Sequence, residues 1–410
     1  MMLAEEIQTT FGIDKSSWIK VKLGDVVREV RETVKDPVAE GIERIIGLEH
    51  LEPESLHIRT WGMLTDGTTF TKVFRKGQVL FGRRRAYLKK AALATFDGIC
   101  SGDITVLEAK KGLLPELLPF LIQNDKFFEL AVKNSAGSLS PRAKFADFAD
   151  YEFQLPPIDQ QEQIAELLWS GDEAANEGIR TYNICNNYYI SYRELLYLHM
   201  DGNAPLVFNS LLKENVNSSI KFTKLGSVLT DIRYGTSKKG NTQGIGYEVI
   251  GIPQVINGKL SLDSISHVSL DEKEYQSCRL NFGDIVIVRT NGNPEYTGRS
   301  ALYDIDNGHA FASYLIKISV NSELYNPEFI LRYLQSVTIR KYFKRNATSS
   351  AGNYNINTET IKSVPIPVVP IIKQNEIVQQ LKKVEQTQND IAAYNFNALK
   401  LQKSLINQIF

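Results

Sequence analysis

Leu155-Pro156-Pro157-Ile158-Asp159-Gln160-Gln161-Glu162-Gln163-Ile164 has a second copy in the same chain, Pro367-Val368-Val369-Pro370-Ile371-Ile372-Lys373-Gln374-Asn375-Glu376-Ile377. Each reads as a strand stopped by proline and followed at once by a helix start. Working outward, further pairs appear. Leu23-Gly24-Asp25-Val26 returns as Leu225-Gly226-Ser227-Val228, and Gly77-Gln78-Val79-Leu80 as Gly283-Asp284-Ile285-Val286. Pro115-Glu116 and Gln123 return as Pro327-Glu328 and Gln335, and Ser135-Ala136-Gly137 as Ser350-Ala351-Gly352. The offset grows from 202 at Leu23 and Leu225 to 215 at Ser135 and Ser350, a drift that surface-loop insertions absorb at low cost. Solenoid periods are ~20–50 residues, so this is a duplicated domain with its trailing helix.

Those helices are long. In the second, Ile377, Leu381, Val384, Ile391, Ala398, Leu405 and Ile409 fall at steps of three, four and seven, a narrow stripe of coiled-coil type. The first carries Ile164, Leu167, Leu168, Ala175, Ile179, Tyr182, Tyr189 and Leu196, interrupted by Gly171 and Gly178. Packing the stripes on each other hides both; ordinary core packing inside one compact domain is the alternative. Upstream of each helix, short apolar runs such as Val79-Leu80-Phe81 and Ile104-Thr105-Val106-Leu107 predict strands. Residues 115–133 and 326–345 predict helices, the latter with Asn326 as cap and Pro327 in the first turn. The fold expected is α+β: a leader over 1–18, a mixed domain over 19–157 and a helix over 158–200. A linker over 201–219, a second domain over 220–369 and a helix over 370–410 follow, the two helices forming an antiparallel coiled-coil spacer.

With 43% hydrophobic and 23% charged residues, the chain has the composition of a soluble globular protein. No apolar run reaches the ~20 residues of a membrane helix, and the first thirteen residues lack a secretory pattern. Cys100, Cys185 and Cys278 are isolated, which argues against a disulfide framework or a cysteine zinc site. A cytoplasmic location is expected. Net charge is zero, yet basic islands stand out: Arg83, Arg84, Arg85, Lys89 and Lys90 without an acid among them, then Arg340, Lys341, Lys344 and Arg345.

These features resemble the specificity subunits of type I restriction–modification systems. The resemblance rests on the strand-end prolines with a Gln-rich helix start in both copies, on the Leu23-Gly24 and Leu225-Gly226 openings, and on Gly283-Asp284-Ile285-Val286. It covers nearly the whole chain, from Trp18 to Phe410, and its specificity lies in the duplicated order. It implies two target-recognition domains at opposite ends of an antiparallel helical rod, each reading half of a split sequence in double-stranded DNA. It implies two methyltransferase subunits docked on the helices, restriction (motor-nuclease) subunits that can join them, and no membrane. It further implies no catalytic residue, metal or cofactor in this chain, with S-adenosylmethionine, ATP and magnesium belonging to the partners.

Candidate DNA contacts in the first copy are Arg83, Arg84, Arg85, Lys89, Arg142 and Lys144. In the second they are Lys238, Lys239, Arg289, Asn291, Asn293, Arg299, Lys341, Lys344, Arg345, Asn353, Tyr354 and Asn355. Arginine bridges guanine O6 and N7 or grips a phosphate, and asparagine pairs with the adenine N6/N7 edge. A solvated strand end would also carry the arginine run, and Asn291-Gly292 is also a turn signal. Helix-packing candidates are Ile164, Leu168, Ile179, Tyr182, Ile377, Leu381, Val384, Ile391 and Leu405. Two further function classes remain open. One is a duplicated protein-interaction scaffold; the other is a metal-dependent nuclease built on Asp97 or Asp103 with Glu108 and Lys110. The glycine-rich 235–240 segment lacks the ending of a phosphate loop, and the five histidines lack metal-ligand spacing.

Overall fold

Val79-Leu80-Phe81 and Ile285-Val286-Ile287-Val288 are short apolar runs preceded by glycine, the pattern of buried strands. In the computed structural model, which describes residues 13–135, 141–199, 204–256, 258–350 and 352–410, each is the fully buried third strand of a four-stranded antiparallel sheet. The repeated glycines upstream, Gly77 and Gly283, have φ of 90° and 88°, the left-handed turn that a side chain resists. The chain divides into two units. One comprises residues up to 180 with 392–410, the other residues 181–391.

The first unit's central sheet runs Val27–Val30, Ile104–Ala109, Val79–Gly82, Ala91–Leu93. A second sheet runs Gly62–Met63, Arg44–Ile46, Gly98–Cys100, Lys72–Phe74, its middle pair parallel. An antiparallel pair, Ile19–Lys22 with Glu152–Leu155, brings the two ends of the domain together before the prolines. Phe81 anchors the core with Phe127, Phe128 and Phe148 at 5.6, 5.9 and 5.2 Å between ring centroids.

The second unit repeats this topology. Its central sheet runs Leu229–Tyr234, Leu315–Val320, Ile285–Val288, Ser300–Leu302. Its second sheet is Ser266–Val268, Tyr247–Ile250, Ala310–Phe311, again with one parallel pair. Phe222–Lys224 pairs with Pro365–Pro367.

Asn326 caps its helix as expected, its Oδ1 accepting from the backbone N–H of Glu328 at 2.8 Å. Each expected single helix is nonetheless two. Leu118–Ile122 gives way to Asp125–Lys133, and Pro327–Leu334 to Val337–Asn346. Asn124 and Ser336 cause the breaks by capping the second member of each pair through side-chain oxygens.

The duplicated glutamines are fasteners. Gln161 is buried; its Nε2 donates to the carbonyls of Pro156 and Gly112 at 2.9 and 2.8 Å, and its Oε1 accepts from Leu114 N at 2.7 Å. Gln374 does the same with Val369, Leu324 and Asn326 at 2.7, 3.0 and 2.9 Å. The long helices, Ile158–Leu198 and Ile371–Ile409, are thereby locked at their starts onto their domains.

Within each unit these helices run antiparallel. In the first, Gln402 Nε2 donates to Asp172 Oδ1 at 3.3 Å, and Asn395 sits so tightly on Gly178 that a Cβ there would lie 1.8 Å from its Oδ1. In the second, Gln388 donates to Asn186 at 3.3 Å and Tyr192 to Gln380 at 3.0 Å. In each unit the helix pair is therefore apolar beside its domain and polar farther along. Leu168, Ile377, Leu381 and Leu405 are buried, whereas Ile164, Ile179, Val384 and Ile391 are half-buried. Tyr182, expected in the stripe, is exposed, because hydrogen-bonded polar side chains occupy that stretch.

Two further expectations change. The stretch expected as a linker carries a hairpin, Leu206–Asn209 with Glu214–Asn217; its residues 201–203 lie outside the described ones. Of the expected leader, residues 1–12 lie outside the described ones, but Trp18 is buried and donates to Gln160 at 2.7 Å. Lys15 caps the second long helix through the carbonyls of Gln408 and Ile409 at 2.5 and 3.0 Å. Among the described residues, no helix is long and apolar enough to cross a membrane.

Candidate nucleic-acid interface

Each buried third strand is followed at once by an arginine, Arg83 after Gly82 and Arg289 after Val288, and the two arginines hold the same backbone position. Arg83 N donates to Asp103 O at 2.9 Å, and its carbonyl accepts from Ala143 N at 2.9 Å. Arg289 N donates to Tyr314 O at 2.9 Å, and its carbonyl accepts from Ile356 N at 2.9 Å. The residues that follow pair alike, Arg84 with Arg142 and Thr290 with Asn355. Two residues further along the partner segment, Lys144 and Asn357 precede short helices, Phe145–Phe148 and Thr358–Lys362, the second capped by the Asn357 side chain. Sequence neighbours far apart are thus gathered on one edge in each unit.

In the first unit, Arg83 and Lys144 line a cleft of about 460 Å³ together with Lys72, Arg31 and Glu29, whose carboxylate accepts from Arg31 Nε and Nη2 at 2.9 and 2.7 Å. Asp103 holds Arg142 at 2.8 Å and Arg84 at 3.5 Å. Burial works to raise the Asp103 carboxyl, but the two guanidiniums overcome it and hold the group below its ordinary value. The arginines are thus oriented before any ligand arrives. Arg85 is exposed, in a left-handed turn with φ of 55°. Sequence reasoning missed Arg31 and Lys72, which lie outside any basic run. A signal existed for Arg31, since it directly follows the strand Val27–Val30 beside the central pair.

In the second unit, the Arg289 guanidinium lies 5.0 Å from the Tyr234 ring centroid and donates to Ser313 O at 3.3 Å. Asn291 pairs with Tyr354 across the small sheet formed with Thr348–Ser350 and Asn353–Asn355. Asn293, in the adjoining bend, and Asn353, at the start of its strand, are exposed. Lys239 is exposed, and Lys238 pairs with Glu274 at 2.6 Å.

Most other candidates are committed elsewhere. Lys341 pairs with Glu214 at 3.2 Å, and Arg345 donates to Leu212 O at 2.8 Å, so both hold the hairpin. Lys344 pairs with Glu295, and Arg299 lies 3.8 Å from the Tyr296 ring centroid. Lys89 turns inward to Asp125 at 2.7 Å and Glu54 at 3.2 Å. Asp125 also takes Lys403 at 2.9 Å and Asn407 at 2.6 Å. Burial opposes its charge, yet these donors hold its carboxyl down to about 2. A carboxylate depressed on folding contributes stability above its unfolded pKa and loses it as pH falls through the folded one. Asp125→Asn is therefore expected to cost about 1–2 kcal/mol at pH 7. The difference from the parent should shrink between pH ~4 and ~2 in denaturant titrations. A pH-independent difference would rule the linkage out.

The acidic residues considered for a nuclease are engaged separately. Glu108 is held by Arg28 and Gln78, Asp97 by Arg75 and the Lys76 backbone, and Asp103 by Arg84 and Arg142. Among the described residues, no group of three or more side chains of metal-ligand type converges.

Residues 16–181 and 217–400 match the family model for the type I restriction modification DNA specificity domain. The chain is 24% identical over 277 residues to the type I restriction enzyme EcoKI specificity subunit of Escherichia coli (strain K12), covering 67% of this chain and 59% of that one. It therefore spans about three-fifths of that relative. It is 22% identical over 403 residues to the MjaVIII specificity subunit of Methanocaldococcus jannaschii, covering 90% and 86%. Among solved structures, a chain from work on complex assembly and conformational transition of the type I R-M system superposes with a TM-score of 0.64 at 18% identity, over 96% of this chain and 97% of that one. The type I S subunit from M. genitalium superposes with a TM-score of 0.55 at 12% identity, over 98% and 97%. The twice-matched family model covers most of the chain, and the two matched segments are the two units' repeated folds: the protein belongs to the family of type I restriction–modification DNA specificity domains.

Proposed function

We propose that this chain is the non-catalytic DNA-reading subunit of a type I restriction–modification complex. It reads a bipartite, gapped duplex sequence and brings adenine-methyltransferase and motor-nuclease partners to it in the cytoplasm. The observation that carries this reading is the repeated arginine-centred edge, Arg83 with Arg84, Arg142 and Lys144 in one unit and Arg289 with Asn291, Tyr354 and Asn355 in the other. Two such edges suit two half-sites. Arg83 and Arg289 are assigned to bases, and Arg31, Lys72 and Lys144 to phosphates, since phosphate contacts position and base contacts specify. S-adenosylmethionine, ATP and magnesium then act in the partner subunits. For the methyltransferases, two of them in the complete assembly, the long helices offer an apolar face. Ile184, Tyr188 and Leu195 are exposed at steps of four and seven, the spacing of one helix face.

The test is co-expression with the methyltransferase encoded beside it, followed by mapping of modified adenines in genomic DNA. A gapped two-part motif is expected; an ungapped motif, or none, counts against the reading. Within that assay, Arg289→Ala is expected to relax base preference in one half-site by about 1–3 kcal/mol of discrimination. The other half should stay unchanged, and equal loss in both halves would refute the modular assignment.

A further inference from the structure

A cleft of about 450 Å³ in the second unit collects three guanidiniums from three elements. Arg193 comes from the first long helix, Arg299 from the turn before Ser300–Leu302, and Arg340 from Val337–Asn346. Arg193 is only 8% exposed. Among the described residues it makes no ion pair, its Nε has no hydrogen-bond partner, and the Tyr189 ring 5.3 Å away is its one cation–π neighbour. Arg340 donates to Glu295 O at 2.7 Å, but its Nη1 is buried without a partner. Burial pushes the Arg340 guanidinium down to about 10; the Glu295 charge opposes that shift and nearby Arg299 adds to it. Ser300 Oγ on the same wall is also buried and unpartnered.

Among the described residues, the cleft's own carboxylates make no ion pair with Arg193, Arg299 or Arg340. Glu295 is taken by Lys344, and Glu385 by Arg332 and Tyr189. Buried cations are ordinarily paired, because an unpaired one forfeits its hydration without return. Guanidiniums converging on an open space match the flat, two-pronged geometry of phosphate oxygens.

We infer that this cleft binds a phosphorylated small molecule of nucleotide size, its phosphate held by Arg193, Arg299 and Arg340. The volume lies within the ~300–1,000 Å³ range of small-molecule sites. Asn186, Gln335 and Ser300 line the cleft as well and supply neutral donors and acceptors suited to a sugar or a base edge. A duplex backbone meets exposed side chains, whereas Arg193 is reached by a ligand that enters. Arg299 closes the loop that begins at Asn291, so an occupied cleft bears on a DNA-reading candidate.

The test uses the full chain. Inorganic phosphate, pyrophosphate and adenosine monophosphate are titrated by calorimetry at ionic strength held constant with chloride. Saturable binding of the monophosphate is expected, weakened ~10-fold or more in Arg299→Gln and Arg340→Gln. Arg299 is half-exposed, so its variant serves where Arg193→Gln does not fold. No saturable binding by the parent overturns the inference, as does binding that both variants leave unchanged. A duplex arm separates the sources of phosphate. If the variants weaken binding to every DNA sequence alike while the monophosphate does not bind, the arginines serve the DNA backbone and the small-ligand inference falls.

Discussion

Seven residues inserted into each long helix, after Arg180 and after Ile391, are expected to widen the gap of the modified DNA motif by about three base pairs. Both half-sites should keep their bases. Each helix gives one half to each unit, with the division at these points. Gly178 faces Asn395 within the first unit, and Asn186 faces Gln388 within the second. Seven residues add ~10 Å at 1.5 Å per residue and turn an ideal helix by only ~20° from its former register. The added seam can therefore pack in heptad register. Duplex DNA rises ~3.4 Å per base pair, which converts the added length into about three pairs. The readout is the adenine-methylation motif of the co-expressed complex. An unchanged gap would refute the idea that the helices set the spacing. Insertion in one helix alone leaves its partner seven residues short and should abolish modification, because the two stripes can no longer pair along their length.

The duplication, the strand-proline-helix joints and the two long helices were legible because they rest on local signals. Proline placement, glycine at left-handed turns and apolar periodicity all act within a few residues. The buried Gln161 and Gln374 show why the repeat was so visible: each satisfies carbonyls and an N–H that only its own domain presents. What stayed hidden depended on long-range partners. The arginine run reads as one basic patch, yet Lys89 points to Asp125 and Arg84 to Asp103. Lys341 and Arg345 looked free until the 206–217 hairpin supplied Glu214 and the Leu212 carbonyl. Arg31 and Lys72 join the candidate edge only through sheet pairing, which no linear spacing encodes. The polar middle of the seam was equally hidden, since Asp172 and Asn186 read as solvated until Gln402 and Gln388 face them.

Glu385→Ala should destabilise the second unit by ~3–5 kcal/mol. Its carboxylate receives both terminal nitrogens of Arg332, one of them at 2.9 Å, and the hydroxyl of Tyr189. The Arg332 side chain is 9% exposed. Burial opposes both charges, yet their mutual attraction holds the guanidinium above and the carboxyl below their ordinary values. Three elements meet here: the helix Pro327–Leu334 of the recognition domain and both long helices. Removing the carboxylate leaves a buried guanidinium with no countercharge, and that penalty exceeds what the pair itself contributes. Replacing both partners together, Arg332→Met with Glu385→Leu, should return stability to within ~1–2 kcal/mol of the parent. The first unit supplies the internal control. Asp172 stands fourteen residues into its helix as Glu385 does in the other, but its partners are His57 at 2.6 Å and the amides of Asn176 and Gln402. Those groups keep water or one another when the carboxylate is lost, so Asp172→Ala should cost clearly less. Hydrogen exchange across 327–334 and 371–391 reports the second unit separately from the first. Equal losses for the single and double variants would show that packing, rather than a stranded charge, sets the cost.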